Sequence, residues 1–152
     1  MIYSAGIIPY RKTPEGKVEF FVGHPGGTSW ENKPYWAFLK GCVEGDEEWS
    51  HCAVREFCEE SGIDSDNFKG KELQALGSVA QNRHKVVIAY AVEYPDIDPS
   101  KCFSNMADNG LNYEIDAYKW MEYDELRKYT HPTHMCFYDE IMNRITDEEA
   151  EY

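Results

Sequence analysis

From Glu47 to Glu60 the chain contains neither glycine nor proline, and Gly62 stands where a helix C-terminal cap belongs. A helix here, in the middle of the chain, constrains the rest because the segments on both sides are strand-like. Upstream, Ile2–Tyr10 is apolar and β-rich, and Val18–Gly23 pairs back on it as a hairpin across the TPEG turn at residues 13–16. His24–Pro34 carries prolines, glycines and polar residues, so a loop is expected, followed by a short strand at Tyr35–Leu39. Downstream, Leu73–Gln81 and Lys85–Glu93 are strand candidates, and Ile115–Met121 alternates as a third. Asp96–Asn112 is loop-like, with Pro99 and a turn at Asp108–Gly110. Tyr123–Tyr129 reads as a short helix. Pro132–Ile145 reads as a longer one, with an apolar stripe at Met135, Tyr138, Ile141, Met142 and Ile145. Thr146–Tyr152 is acidic and reads as a frayed tail. Strands on both sides of a central helix, closed by a C-terminal helix, predict an α/β (α+β) fold with a mixed sheet sandwiched between helices.

The 152 residues suit a single domain over the whole chain. Asp and Glu number 28 against 15 Lys and Arg, a net charge of −13. Such a surface repels a phosphate backbone, which argues against a nucleic-acid partner and against anionic lipid. The five cysteines are odd in number and form no C-x-x-C pair, so reduced thiols and a cytoplasmic location are expected. No stretch approaches the ~18 apolar residues that span a bilayer, so no membrane partner is expected.

On the central helix Glu56, Glu59 and Glu60 fall within a sector roughly 100° wide. Ala53, Val54, Phe57 and Ser61 form a separate sector that can face a core. Three carboxylates near the negative end of the helix dipole repel one another. A divalent cation would remove that penalty, and its preference for hard oxygen points to Mg²⁺, with Mn²⁺ as a substitute. Most runs of Glu are solvated charged faces. Here, however, the surrounding residues are patterned as well.

Gly41–Ile63 matches, residue for residue, the pattern G-x5-E-x7-R-E-U-x-E-E-x-G-U, with U a bulky apolar residue. Chance agreement is on the order of once in 10⁸ starting positions at average composition. On these residues the chain resembles the Nudix hydrolase family. The resemblance implies a loop–helix–loop in which Glu56, Glu59 and Glu60 bind catalytic metals, helped by a main-chain carbonyl of Lys40 or Gly41. It also implies that Arg55 pairs with Glu47 and holds the loop against the helix. The reaction implied is hydrolysis of a pyrophosphate bond in a nucleoside diphosphate linked to a group X. Gly45-Asp46 replaces a more usual Pro-Gly, and Leu39 stands where a proline often precedes Lys-Gly. Both departures lie in the loop.

Outside the box, Lys85–Glu93 and Glu114–Trp120 resemble segments of the Nudix enzymes that cleave diadenosine polyphosphates. By that resemblance Glu114 is a distal carboxylate, a further metal ligand or the general base; the plainer alternative is a surface-loop Glu. The choice between Glu56 and Glu114 as base stays open. The N-terminal segments also resemble small bacterial Nudix proteins of unassigned substrate. For phosphate contact Lys85 comes first, then Lys40, Arg83 and His84, each of which could equally be a solvated charge. Tyr35, Trp36 and Tyr90 could stack a base, although core packing is favoured for Trp36. His131 and His134 flank Pro132 and read as a helix start, not a metal pair. Cys52 and Cys58 read as packing residues. The partner expected is a small nucleotide, with diadenosine polyphosphate first and ADP-ribose or another nucleotide sugar second. A nucleotide-sensing module without catalysis is the different-class alternative, and a homodimer stays open. An RNA 5′-end pyrophosphohydrolase would need a basic groove, and Lys and Arg are not clustered here.

Overall fold

The computed structural model describes residues 1–27, 29–105 and 113–150. The turn expected at Asp108–Gly110 lies outside them. Six strands form one mixed sheet: β1 (Ile2–Lys12), β2 (Val18–Pro25), β3 (Leu39–Cys42), β4 (Gln74–Asn82), β5 (Lys85–Glu93) and β6 (Ile115–Glu122). Their order is β4-β5-β1-β2-β6, with β3 paired to β1. β1 runs parallel to β5 from Ile2↔Lys85 to Tyr10↔Glu93. Its other edge is shared. The far end pairs antiparallel with β2 through Tyr10–Lys12, and the near end pairs antiparallel with β3 through Ser4–Ile7. The sheet therefore forks between β2 and β3, which touch again through the single bridge Gly23↔Ala37.

Alternation along β1 sorts the core into two layers. Ala5 and Ile7 join Phe21, Leu39, Ile88 and Val92 beneath α1 (Trp49–Ser61), which contributes Cys52, Ala53 and Phe57. Ile8 and Tyr10 join Phe20, Val22, Val87 and Ala89 on the opposite face. That face is covered by Leu126 of α2 (Tyr123–Tyr129) and by Phe137, Tyr138, Ile141 and Ile145 of α3 (Met135–Ala150). The mixed sheet between helices is the architecture expected from the sequence.

Two local expectations need correction. Residues 35–39 do not form a strand of their own; apart from the Ala37 bridge, pairing begins at Leu39, because β1 offers its free edge only from Ile7 back to Ser4. The C-terminal helix does not stop at Ile145. It continues to Ala150, since residues 146–150 contain no breaker, and Glu149 pairs with Lys12 at 3.3 Å. The pair His131–His134 does start a helical segment: Pro132–His134 is a 3₁₀ turn, and His131 Nδ1 accepts from the Thr133 N–H. Among the described residues no helix is long and apolar enough to cross a membrane.

Candidate active site

α1 ends where Gly62 adopts a left-handed conformation, φ +77°, and its N–H closes the last turn on the Cys58 carbonyl. Two contacts tie that end to the segment leading into β6, and a third closes within that segment. Phe103 N–H donates to the Ser61 carbonyl, Asn105 N–H to the Glu59 carbonyl, and Glu114 N–H to the Asn105 carbonyl. From β6 itself, the Tyr118 hydroxyl donates to the main-chain carbonyl of Glu60. Glu114 is thereby carried to the helix end that bears Glu59 and Glu60.

The three helix carboxylates occupy different environments. Glu59 is the exposed one, its side chain 42 % accessible. Glu56 is mostly covered and lies against Gly41, where an added Cβ would fall 2.0 Å from the Glu56 carboxyl carbon. Glu60 is only 8 % exposed, and its Oε2 is buried without a hydrogen-bond partner. Burial, then the charges of Glu56 and Glu114, push the Glu60 carboxyl up to about 8, while Lys40 opposes the shift. Burial likewise raises Glu56, with Glu59 and Glu114 adding to it and Arg55 opposing.

Arg55 binds the Gly41–Glu48 loop to the helix. Its Nε and Nη2 donate to the two Glu47 oxygens at 2.7 and 3.0 Å, and Nη2 also reaches the Cys42 carbonyl at 3.2 Å. Its Nη1 lies 3.0 Å from Glu56 and 3.2 Å from Glu59. The Arg55 fork holds the Glu47 carboxyl down at about 2.

On the other side of Glu60 the fork in the sheet opens a cavity of about 180 Å³. Its walls include Glu60, Glu114, Lys40, Tyr35 and Phe38. Lys40 is half-buried, with its ammonium 5.4 Å from the Phe38 ring centre. Burial and then the charge of Lys85 push Lys40 down to about 8, and Glu60 opposes this. Lys85, half-buried at the start of β5, is thus within electrostatic reach of Lys40.

The structure does not gather all the sequence candidates. Tyr90 packs against the α1 layer, whereas Lys85 has the register of Val87 and Ala89 on the opposite face. Trp36 packs on the α3 layer, with His24 edge-on at 5.5 Å and the Lys119 ammonium over its ring at 5.3 Å. Arg83 and His84 are exposed in the β4–β5 turn. Of the aromatic candidates, Tyr35 lines the cavity. Phe38 and Tyr118 had no role in the sequence reading; the alternation of apolar residues around them marks burial only. Cys52 and Cys58 pack against the α1 layer, and burial raises both thiols, to about 12 and about 11.

Glu56, Glu59, Glu60 and Glu114 offer only hard oxygen donors, which suits a divalent cation. The orphaned Oε2 of Glu60 and the mutual repulsion of the carboxylates are the deficits that such a cation would meet. Among the described residues no three His, Cys, Asp or Glu side chains converge on one point. Arg55 stands between Glu56 and Glu59 and does part of the neutralising.

The NUDIX domain profile matches residues 4–141. No curated protein matches the chain. Among solved structures, an Ap4A hydrolase from C. elegans in a binary complex is 21% identical, covers 100% of both chains and superposes with a TM-score of 0.64. The E. coli dihydroneopterin triphosphate pyrophosphohydrolase is 15% identical with a TM-score of 0.66, covering 93% of this chain and 95% of its own. The NUDIX domain of Shewanella oneidensis NrtR, complexed with ADP ribose, is 11% identical with a TM-score of 0.66, covering 95% and 88%. At these identities the likeness establishes the fold, while the profile match over most of the chain establishes the family. With the complete box folded as loop, helix and glycine cap, the chain belongs to the Nudix family, hydrolases that act on phosphorus-containing anhydrides.

Proposed function

We propose that this protein is a Mg²⁺-dependent pyrophosphohydrolase that cleaves a nucleoside diphosphate linked to X, with a diadenosine polyphosphate as the first substrate to test. The observation that carries this is the cavity in which Glu60 and Glu114 face Lys40 and Tyr35. Carboxylates on one side and an ammonium on the other suit a metal-bound phosphate chain, and a ring beside them suits a base.

Glu56, Glu59, Glu60 and Glu114 would hold the cations. Bound Mg²⁺ would neutralise phosphate oxygens and lower the pKa of the attacking water. The protein's own share is positioning and electrostatics. Lys40, with Lys85 beyond it, faces the phosphates; Tyr35 orients the nucleoside; Arg55 keeps the Glu47 loop, and with it Gly41, against Glu56. Glu56 and Glu114 are the two alternatives for the carboxylate that accepts a proton from water.

The test is a panel of nucleotides incubated with Mg²⁺, with products separated by chromatography. Cleavage of diadenosine tetraphosphate to ATP and AMP is expected. Rapid hydrolysis of ADP-ribose with no cleavage of dinucleotides would favour the second substrate class. The observation behind that class is the shared fold with the NrtR domain complexed with ADP ribose. Specific binding without turnover of any nucleotide would instead favour a sensing module.

A further inference from the structure

His24, near the end of β2, is held between two hydrogen-bond acceptors. Its Nδ1 lies 2.7 Å from Asp116 Oδ1 on β6, and its Nε2 lies 2.6 Å from the main-chain carbonyl of Lys33 in the β2–β3 loop. A carbonyl only accepts, so Nε2–H donates to Lys33, and the ring reaches from there to the Asp116 carboxyl. The ring sits against Trp36 and its side chain is only 13 % exposed. The charged groups around it are Asp116 and, on the same strand, Lys119, whose ammonium lies over the Trp36 ring.

The bond to Lys33 matters because of what else holds the loop. Among the described residues, Trp30 and Glu31 N–H donate to Gly27, Lys33 N–H donates to Trp30, and Tyr35 N–H donates to Lys33, all within the loop. At its two ends Gly26 N–H reaches the Glu114 carbonyl, Trp36 N–H reaches the Tyr129 carbonyl, and Ala37 exchanges two backbone bonds with Gly23 of β2. Between those ends, among the described residues, the His24–Lys33 bond ties the loop's interior to the sheet. Trp30 packs on Tyr35 at 5.1 Å between ring centres, so the tied segment moves with the ring that lines the cavity.

We propose that His24 is a positioning residue: bridging Asp116 and the Lys33 carbonyl, it clasps the Tyr35-bearing loop to β6, the strand that begins just after Glu114. The functional part of this rests on the cavity being the active site. The clasp itself does not.

Glutamine in place of His24 cannot span from Asp116 to the Lys33 carbonyl as the ring does, so in His24→Gln amide exchange at Lys33 and Tyr35, read by NMR of the full chain, should rise about tenfold relative to the core strands. With diadenosine tetraphosphate and Mg²⁺, KM should rise roughly three- to tenfold while kcat stays within about twofold, because ground-state positioning is lost and the carboxylates are untouched. Asp116→Asn is the conservative counterpart. Its carboxamide can bond Nδ1 while Nε2–H keeps Lys33, so loop exchange should stay near wild type. A folded His24→Gln with wild-type exchange overturns the clasp, and loosened exchange with an unchanged KM overturns the positioning role. Should diadenosine tetraphosphate not be cleaved, the substrate proposal fails, and the exchange still decides the clasp.

Discussion

Glu60 combines near-complete burial, an unpaired oxygen and two neighbouring carboxylates, and that combination has a sign in solution. Its folded value of about 8 lies above the ordinary 4.5, so the native state holds a proton that the unfolded chain has released. Stability is therefore lost as pH rises from 4.5 through 8. In EDTA, Glu60→Gln should remove this penalty and be more stable than wild type at pH 8, by on the order of 1–3 kcal/mol in thermal or urea unfolding. The same substitution should abolish Mg²⁺-dependent turnover. Wild-type turnover in a stable Glu60→Gln protein would reject the assignment. The sequence identified this Glu by its spacing. It could not separate Glu60 from Glu59, because helical periodicity gives a sector and only the packed sheet makes one side of that sector dry.

At the level of elements, the site depends on how the Gly41 loop meets α1. An alanine at Gly41 would place its Cβ 2.0 Å from the Glu56 carboxyl carbon. Gly41→Ala should therefore displace Glu56 and lower turnover at least about tenfold, since a misplacement of about 1 Å can cost a hundredfold. Circular dichroism should show a folded protein. Arg55 works through its fork: two bonds to Glu47 and one to the Cys42 carbonyl cannot be reproduced by an ammonium. Arg55→Lys should cost about 1–3 kcal/mol and speed amide exchange in residues 43–48. An unchanged stability and exchange pattern would mean that the loop is held by other contacts. The pairing of Arg55 with Glu47 was expected from the family resemblance. The fork of the sheet between β2 and β3 was not legible, because residues 35–39 have strand-like composition but no edge to pair with until Leu39.

At the scale of the whole molecule, His134, Glu47 and Glu60 act together on stability against pH in EDTA. His134 is fully buried; burial, then the charges of Lys40, His131 and Lys85, push it from 6.5 down to about 3. It stays neutral when folded, so stability is lost as pH falls from 6.5 towards 3. Glu47, held at about 2, adds a loss as pH falls from 4.5. Glu60 adds the opposite loss above 4.5. The opposing slopes leave a plateau of melting temperature between pH 4.5 and 6.5, falling on both sides. Added Mg²⁺ should raise the alkaline side, because a cation favours ionised Glu60. A melting temperature that keeps climbing to pH 8 in EDTA would contradict this balance.

The net charge of −13 bears on the same electrostatics. Sequence alone determined the family, the helix that carries the box, the order of strands and helices, and the donor chemistry, because these follow from residue type, spacing and periodicity. Tertiary structure decided which carboxylate is buried, which candidate ring reaches the cavity, and which lysine lines it. Those outcomes depend on residues distant in sequence. Glu114 meets Glu60 through the segment docked on the end of α1, Tyr90 and Lys85 part company across the sheet, and His24 meets Asp116 and Lys33 across a fork that no local pattern encodes.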